Sequence, residues 1–243
     1  MTIHRRHLML AGPLLLGLGT LLPRAAWAFT LPPGDALSFS VFRKQDSPMG
    51  SHRMRFMRDG DRLIMEKAID LEVTLAFVTA YRYRHRNREV WQDGRLVEIE
   101  TKTNDDGDDY WLRGSAGPDG FQVDGSGGRY MAPADIIPTS YWNHATTGAS
   151  QLLDTQRGLI MDVRMEDRGA ETLETQAGPI QARHHTINIL SNPPGKTDQI
   201  DLWYDDNGQW VGLAFQAKGQ KISYVMDSPA IPPEPAPQSA ARP

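Results

Sequence analysis

Six Asp-Gly or Asn-Gly dipeptides divide the sequence after Phe29, and they constrain the fold more than any other feature. Each lies between two segments in which apolar and polar residues alternate, and it supplies the left-handed backbone positions that a tight hairpin turn requires. No segment longer than about 10 residues has the 3.6-residue periodicity of an amphipathic helix. The sequence therefore predicts an all-β protein: a large curved antiparallel meander that forms a half-open or closed β-barrel, with at most one or two short helices. The dipeptides are Asp59-Gly60, Asp93-Gly94, Asp106-Gly107, Asp119-Gly120, Asp124-Gly125 and Asn207-Gly208.

Two local expectations are specific enough for a structure to test. Residues Glu72–Trp91 are predicted to form one strand that is bent or bulged. A short helix is predicted near Pro138–Ala145, where Thr139 or Ser140 could cap its first turn.

The first 28 residues have the three parts of an export signal. Arg5 and Arg6 give a basic start, residues 8–22 are apolar, and Ala26-Trp27-Ala28 has the small-x-small pattern of a signal peptidase site. The paired arginines match a twin-arginine (Tat) leader, and the alternative is a Sec signal that carries two arginines. The apolar run is shorter than the roughly 20 residues of a membrane-spanning helix. We therefore predict a periplasmic protein that is cleaved after Ala28, with no transmembrane segment after cleavage and with signal peptidase and the Tat (or Sec) machinery as partners.

The remaining chain is predicted to contain one domain and a tail. Residues 29–227 are expected to form a single β-rich domain, since about 200 residues can bury one core. Residues 228–243 contain six prolines. Because proline cannot donate a hydrogen bond to a sheet, this segment is expected to be a disordered Pro-rich tail.

Composition argues against several classes of function. The chain has 26 Lys and Arg against 30 Asp and Glu, and loss of the leader removes three arginines and no carboxylates. A net-acidic protein without a basic segment is not expected to bind nucleic acid. Cysteine is absent, which excludes disulfides, thiolate metal sites and cysteine nucleophiles.

The segment Tyr81–Trp91 alternates strictly, so a strand there has two different faces. Four arginines and Val90 share one face, which is expected to be solvated and paired with carboxylates. The opposite face is expected to be the inner one, and it carries Tyr81, Tyr83, His85, Asn87, Glu89 and Trp91.

The pairing of this strand with the next depends on the turn between them. A three-residue loop, Gln92-Asp93-Gly94, would place Arg88 opposite Glu98, whereas a two-residue loop would place Glu89 opposite Glu98. Opposite charges paired across strands contribute roughly 0.2–1 kcal/mol, and like charges are destabilising. The sequence therefore favours the three-residue loop.

No metal, cofactor or catalytic motif is recognised. His184 and His185 are adjacent in a predicted strand, so their rings point to opposite faces and cannot readily share one ion. The acidic turn at residues 105–109 lacks the regular ligand spacing of an EF-hand loop. No G-x-S-x-G elbow is present. We therefore predict no metal site and no cofactor, and we assign no catalytic residue.

Aromatic residues and two histidines form a candidate ligand site. Two interpretations of the aromatic residues remain open: they pack as core, or they line an apolar cavity that binds a small molecule. His85 and His144 would be the candidate general bases of an enzyme. The candidate ligand-binding residues are Tyr81, Tyr83, His85, Tyr141, Trp142, His144 and Trp203.

Four stretches of the sequence resemble a known family. They are Ala80–Trp91, Ser140–Trp142, Leu152–Gly158 and Asp201–Tyr204. The stretches are similar to those of the domain of unknown function 6134 family of bacterial exported proteins, over roughly Leu37–Met226. The resemblance implies a periplasmic protein with a curved antiparallel sheet, and it brings no established activity. A more distant architectural likeness is to half-barrels of the lipoprotein-carrier type.

The sequence therefore predicts a periplasmic, non-enzymatic binding or carrier protein for a hydrophobic or amphipathic small molecule or lipid. One alternative is a hydrolase or isomerase that uses His85 or His144. Another is a cell-envelope assembly or interaction protein.

Overall fold

The computed structural model describes residues 29, 31–44, 46–75, 78–191 and 198–227. The predicted leader at residues 1–28 and the predicted tail at residues 228–243 lie outside the described residues.

The described part of the chain folds into one sheet of 15 strands, which confirms the all-β prediction. Two short 3-10 turns, at Pro33–Asp35 and His144–Gly148, accompany the strands. Within the described ranges, no helix has the length and apolar character needed to cross a membrane. The strands are β1 (Ala36–Arg43), β2 (Ser47–Asp59), β3 (Arg62–Leu75), β4 (Val78–Gln92), β5 (Arg95–Asp105), β6 (Asp108–Gly117), β7 (Gly120–Gly125), β8 (Gly128–Ala132), β9 (Ile137–Pro138), β10 (Gln151–Leu153), β11 (Ile160–Thr175), β12 (Gly178–Ile189), β13 (Gln199–Tyr204), β14 (Trp210–Ala217) and β15 (Gln220–Met226).

The sheet is a meander whose first and last strands meet in its middle. Its order runs β8 to β1, then β15 to β9, and β1 pairs with β15 in antiparallel fashion. All neighbours are antiparallel except β9 and β10, which run parallel. Strands β8 and β9 are the two edges and do not pair with each other, so the barrel is half-open.

The expected single strand at Glu72–Trp91 is instead part of a hairpin. Strand β3 ends at Leu75, and Val78 at the start of β4 pairs with it. A bulge between Val73 and Thr74 shifts the register near this turn. Residues 72–81 contain no Gly, Pro, Asn or Asp, so the sequence has none of the usual turn signals at this reversal.

The expected helix at Pro138–Ala145 is a 3-10 turn that begins later, at His144. Its cap is Asn143, whose Oδ1 accepts a hydrogen bond from the backbone N–H of Ala145 at 3.0 Å. Thr139 does not cap a helix, because its backbone N–H donates to the carbonyl of Leu153 at 2.9 Å and its hydroxyl meets Thr155.

The turn between β4 and β5 has two residues, which corrects the predicted three-residue loop. Asp93 and Gly94 both have positive φ angles (49° and 77°), as a two-residue hairpin turn requires. A bulge between Val90 and Trp91 then places Arg88 opposite Glu100. Leu96 is therefore buried on the inner face.

The faces of β4 are as the alternation predicted. Arg82 and Arg86 lie on the solvent side and pair with Glu72 (2.9 Å) and Asp70 (2.8 Å) of β3. The Arg88 guanidinium lies 3.8 Å from the Glu98 carboxylate, the partner predicted for it, although the two residues are not directly opposite in the register. Exposed pairs of this kind contribute little to stability, so the arginine row is a solvated face.

The segment between β8 and β11 crosses the inner side of the curved sheet. Trp142, in this segment, packs edge-on against Phe56 and Trp91, with ring centroids 5.1 and 5.4 Å apart. These buried rings, together with Leu63 and Leu96, fill what we call the packed end of the barrel. A cavity remains between this end and the solvent.

Candidate functional site

The inner side of the sheet encloses a cavity of about 780 Å³. This volume lies in the range of small-molecule sites, which is roughly 300–1,000 Å³. Strands β2 to β4 supply one wall, β11 to β15 supply the opposite wall, and the crossing segment supplies Thr139, Tyr141 and residues 154–157.

Strand register orders the inner residues by depth. Successive inward positions on a strand lie about 7 Å apart. Inward residues that are directly opposite one another on β2 to β5 form rows across the sheet. From the solvent inward we name them the tyrosine row (Leu71, Tyr83, Asp105), the histidine row (His52, Ile69, His85, Thr103), the lysine row (Met54, Lys67, Asn87, Thr101) and the glutamate row (Phe56, Met65, Glu89, Ile99).

Burial increases along these rows. Tyr81 and Tyr83 are half-buried, whereas His85, Asn87 and Glu89 are 1%, 4% and 0% exposed. The tyrosine row therefore lies at the open end, and the polar rows lie deep, between the open end and the packed end.

The mouth of the cavity is held by a polar network. The Tyr81 hydroxyl donates to Asp105 at 3.0 Å, and Gln156 donates through Nε2 to the other oxygen of Asp105 at 3.1 Å. The Lys218 ammonium lies 5.2 Å from the centre of the Tyr81 ring, at the distance of a cation–π contact. Burial raises the pKa of Tyr83 well above its ordinary value, so its phenol stays neutral.

Most of the remaining wall is apolar. Side chains from β3 and from β11 to β15 face the cavity between its mouth and the polar rows. They include Leu71, Met161, Ile189, Leu213, Phe215 and Tyr224.

Lys67 brings a positive charge to the deep end of the cavity. The residue is 4% exposed, and its Nζ donates to the Thr155 hydroxyl at 3.3 Å. Burial lowers the pKa of Lys67 from 10.5 to about 8, while the charges of Glu89 and Asp154 act in the opposite direction. The lysine is therefore mostly charged at neutral pH, in a place where a charge is costly to bury.

Two histidines beside Lys67 have ring nitrogens without hydrogen-bond partners. His52 is 3% exposed, and both of its ring nitrogens are unpartnered. His85 meets the Thr103 hydroxyl through Nδ1 at 2.7 Å, and its Nε2 is unpartnered. Burial, and then the charge of Lys67, lower the pKa of both imidazoles well below the ordinary value. Both rings are neutral at physiological pH.

Asp154 and Thr155 reach the cavity from the crossing segment. Asp154 accepts the backbone N–H of Gln156 at 2.9 Å. Burial raises the pKa of Asp154, while the backbone N–H groups of Gln156 and Arg157 and the charges of Arg157 and Lys67 lower it.

Tyr141 enters the cavity on a strained backbone. Its φ of 65° lies in the left-handed region, which costs a residue with a side chain about 1–3 kcal/mol. The Tyr204 hydroxyl donates to the Tyr141 carbonyl at 2.7 Å and holds this conformation.

We expect Tyr204→Phe to lower the free energy of unfolding by about 1 kcal/mol or slightly more, because the Tyr141 carbonyl loses its buried donor. Urea denaturation measures this change. Tyr110→Phe is the matched control: Tyr110 is half-buried, the ring that Arg157 contacts is kept, and no hydrogen bond of its hydroxyl to a described residue is lost. It should change stability by less than about 0.5 kcal/mol. Equal stability of Tyr204→Phe and wild type would show that this hydrogen bond does not hold the strained turn.

Glu89 lies below the cavity, at the boundary with the packed end. Its Oε1 accepts from Asn87 Nδ2 at 2.8 Å. Its Oε2 accepts from Trp91 Nε1 (3.0 Å), Ser140 Oγ (3.3 Å) and Trp142 Nε1 (3.3 Å). The carboxylate thus ties β4 to the crossing segment, which is the element that shapes the floor of the cavity.

The structure brings together four of the seven predicted site residues. Tyr81, Tyr83, His85 and Tyr141 all line the cavity.

The other three predicted residues lie elsewhere. Trp142 is part of the packed end, and His144 is exposed and packs against Tyr204. Trp203 lies outside the barrel wall, where its Nε1 donates to Glu171 at 2.5 Å. His85 and His144 therefore do not converge on one cleft, and of these two candidate bases only His85 lines the cavity. The enzyme alternative stays a prediction.

The adjacent histidines have different surroundings, as alternation predicted. His184 stacks on Trp203 and meets Asp201 at 3.0 Å, whereas His185 is buried near Tyr204. Among the described residues, no three His, Asp or Glu side chains are placed to hold a metal ion. The acidic turn at residues 105–109 is the hairpin turn between β5 and β6.

Sequence reasoning missed His52, Lys67, Asp154 and Thr155. A signal existed for two of them. Lys67 alternates with Leu63, Met65, Ile69 and Leu71, which places it on an apolar inner face. His52 similarly alternates with Met54 and Phe56. Asp154 and Thr155 come from an irregular segment and have no periodic signal.

Comparisons with known proteins agree with this fold. The family model for the domain of unknown function DUF6134 matches residues 39–227, as the resemblance predicted. No curated protein matches the sequence significantly. The crystal structure of a β-barrel-like protein of the domain of unknown function DUF1849 from Brucella abortus matches with a TM-score of 0.58 at 8% identity, over 79% of this chain and 94% of that chain. That likeness concerns the fold alone.

A second solved structure is more distant. It is a "putative lipoprotein" from Parabacteroides distasonis ATCC 8503, with a TM-score of 0.32 at 13% identity, over 79% of this chain and 92% of that chain. A likeness this weak carries no argument.

Proposed function

Because the chain belongs to the DUF6134 family and its sheet encloses a cavity, we propose that it is a non-enzymatic binding or carrier protein for a hydrophobic or amphipathic small molecule, lipids included. The observation that carries the proposal is the cavity of about 780 Å³, with an apolar wall towards its mouth and a few buried polar groups at its deep end. Cavities that combine apolar lining with a few placed polar groups are the usual form of small-molecule sites.

The polar groups of the cavity support binding more than catalysis. The hydroxyl that His85 meets belongs to Thr103, which is 3% exposed and does not line the cavity. A nucleophile must be both activated by a base and reachable by substrate. The unpartnered nitrogens of His52 and His85 instead suit hydrogen bonds to a bound molecule.

The location of the protein is part of the same proposal. The leader pattern at residues 1–28 supports export to the periplasm, cleavage after Ala28 and passage through the Tat or Sec machinery. Residues 29–227 would then form the binding domain. N-terminal sequencing of protein recovered from the periplasm of its native cells tests this part, and a chain that begins upstream of Phe29 would contradict it.

The binding proposal is tested on protein purified from its native cells. Organic extraction followed by mass spectrometry should recover a small molecule or lipid in near-stoichiometric amount. A repeated absence of any extracted molecule, together with no rise in melting temperature when lipids are added, would overturn the proposal.

We expect Ala217→Trp to weaken binding at least ten-fold. Ala217 lines the mouth and is half-buried, so an indole there fills the entrance with little strain on the core. The probe is the neutral dye N-phenyl-1-naphthylamine, and its fluorescence on titration with protein gives the dissociation constant. Ala116→Trp is the matched control, since Ala116 is exposed on β6 and does not line the cavity. Equal affinities of the two variants would contradict the assignment of the cavity as the binding site.

A further inference from the structure

We propose that the ligand enters head-first and that its head is an uncharged polar group, a hydroxyl or a carbonyl, bound at the deep end among His52, Lys67 and His85. This inference rests on the proposed binding function and adds the chemistry and the orientation of the ligand.

The first argument is the set of unpartnered polar atoms. His52 and His85 line the cavity, and between them three ring nitrogens have no hydrogen-bond partner. Lys67 Nζ has three hydrogens and donates to Thr155. A buried polar atom without a partner costs about 1–3 kcal/mol. A ligand hydroxyl, which both donates and accepts, would satisfy several of these atoms at once, and a carbonyl would accept from Lys67 and from a ring N–H.

The second argument is charge. The charges of two carboxylates, Glu89 and Asp154, favour the charged form of Lys67. His52 and His85 are neutral, because burial and the charge of Lys67 lower the pKa of both. Arg157, which also lines the cavity, adds a second positive charge that acts on Asp154. The two positive and two negative groups therefore balance, and neither sign is left over. An added anion or cation would be buried without a free counter-charge, which is unfavourable in a poorly solvated site.

The third argument is the order of the rows. The polar histidine and lysine rows lie deeper than Tyr81 and the tyrosine row, and the distance along β4 from Tyr81 to His85, which both line the cavity, is about 13 Å. Leu71, Leu213 and Phe215 line the cavity and offer apolar surface to a tail. An elongated amphipathic molecule matches this order when its head lies deepest.

The test compares three probes with one tail and different heads: decan-1-ol, decanoate and decylammonium, titrated by calorimetry at neutral pH. Decan-1-ol should bind at least ten-fold more tightly than either charged probe. A charged probe that binds as tightly as the alcohol, or more tightly, would overturn the inference and leave the binding function standing. Failure of all three to bind would overturn both.

A variant distinguishes a specific head site from simple apolar partition. His52→Phe keeps a ring of similar size, and it is expected to fold because His52 has no hydrogen bond to lose. Its preference for decan-1-ol over decanoate should fall at least five-fold. If His52→Phe does not fold, the ratio of the affinities for decan-1-ol and decanoate is measured on His52→Leu instead. An unchanged ratio in a folded variant would show that the head does not reach the histidine row.

Discussion

Replacing Glu89 by alanine is expected to lower the free energy of unfolding by about 3–5 kcal/mol, the range found when one partner of a buried charged network is removed. Glu89 is completely buried and accepts from Asn87, Trp91, Ser140 and Trp142. In the alanine variant these four donors lose their acceptor, and Lys67 loses one of the two carboxylates that favour its charge. Urea denaturation at neutral pH measures the loss.

Two further variants separate the hydrogen bonds of Glu89 from its charge. In Glu89→Gln, the amide oxygen can still accept from the Trp91 and Trp142 indoles. Its NH₂ group can donate to the Asn87 side-chain oxygen, which has no partner in wild type. We therefore expect the glutamine variant to lose less than half as much stability as the alanine variant. Glu98→Ala is the exposed control and should change stability by less than about 0.5 kcal/mol. An alanine variant as stable as this control would contradict the role of Glu89.

The two faces of β4 could be predicted from sequence because strand alternation is a local property. The inner positions from Tyr81 to Trp91 and the solvated arginines follow directly from the two-residue period of a strand. The same period applied to β2 and β3 would have placed His52 and Lys67 inside as well. The part of the candidate site that lies on β2 to β4 could therefore be predicted from the sequence alone.

Register was harder to predict because it depends on small energy differences. The prediction weighed ion pairs on the exposed face, each worth less than about 1 kcal/mol. The structure instead has a two-residue turn and a bulge that puts Leu96 inside and Arg88 opposite Glu100. Burial of a leucine side chain contributes about 1.5–3 kcal/mol, which outweighs one exposed ion pair.

The crossing segment could not be placed from sequence. Thr155 and Tyr141 are held at the cavity by hydrogen bonds with residues more than 50 positions away, Lys67 and Tyr204. Ser140 of the same segment likewise bonds to Glu89. Trp142 and Trp203 are of a residue type that often lines ligand sites. Trp142 nevertheless fills the packed end, and Trp203 lies outside the barrel wall. Side-chain type alone did not distinguish these locations.

Lys67 should make the stability of this protein rise with pH above neutrality. The folded lysine has a pKa of about 8, against 10.5 when solvated. Below pH 8 it is charged in both states, and the unfavourable burial is at its full value of about 3 kcal/mol, from 1.36 kcal/mol per pKa unit. Between pH 8 and 10.5 the unfolded chain binds more protons than the folded one, so the free energy of unfolding increases with pH. From pH 7 to 9.5 the gain should be about 2 kcal/mol.

Lys67→Met removes this titration while keeping a side chain of similar length. Urea denaturation at several pH values from 7 to 9.5 should show that the wild type gains about 2 kcal/mol relative to the variant. The range stops below pH 10 because burial raises the pKa of the cavity tyrosines, Tyr81 and Tyr83 among them, and their ionisation in the unfolded chain opposes the gain. Lys102→Met, at an exposed position on β5, should keep the pH dependence of wild type. If the free energies of unfolding of wild type and Lys67→Met change with pH in parallel, Lys67 is not buried as a charged group. The charges at the deep end of the cavity would then not balance one another.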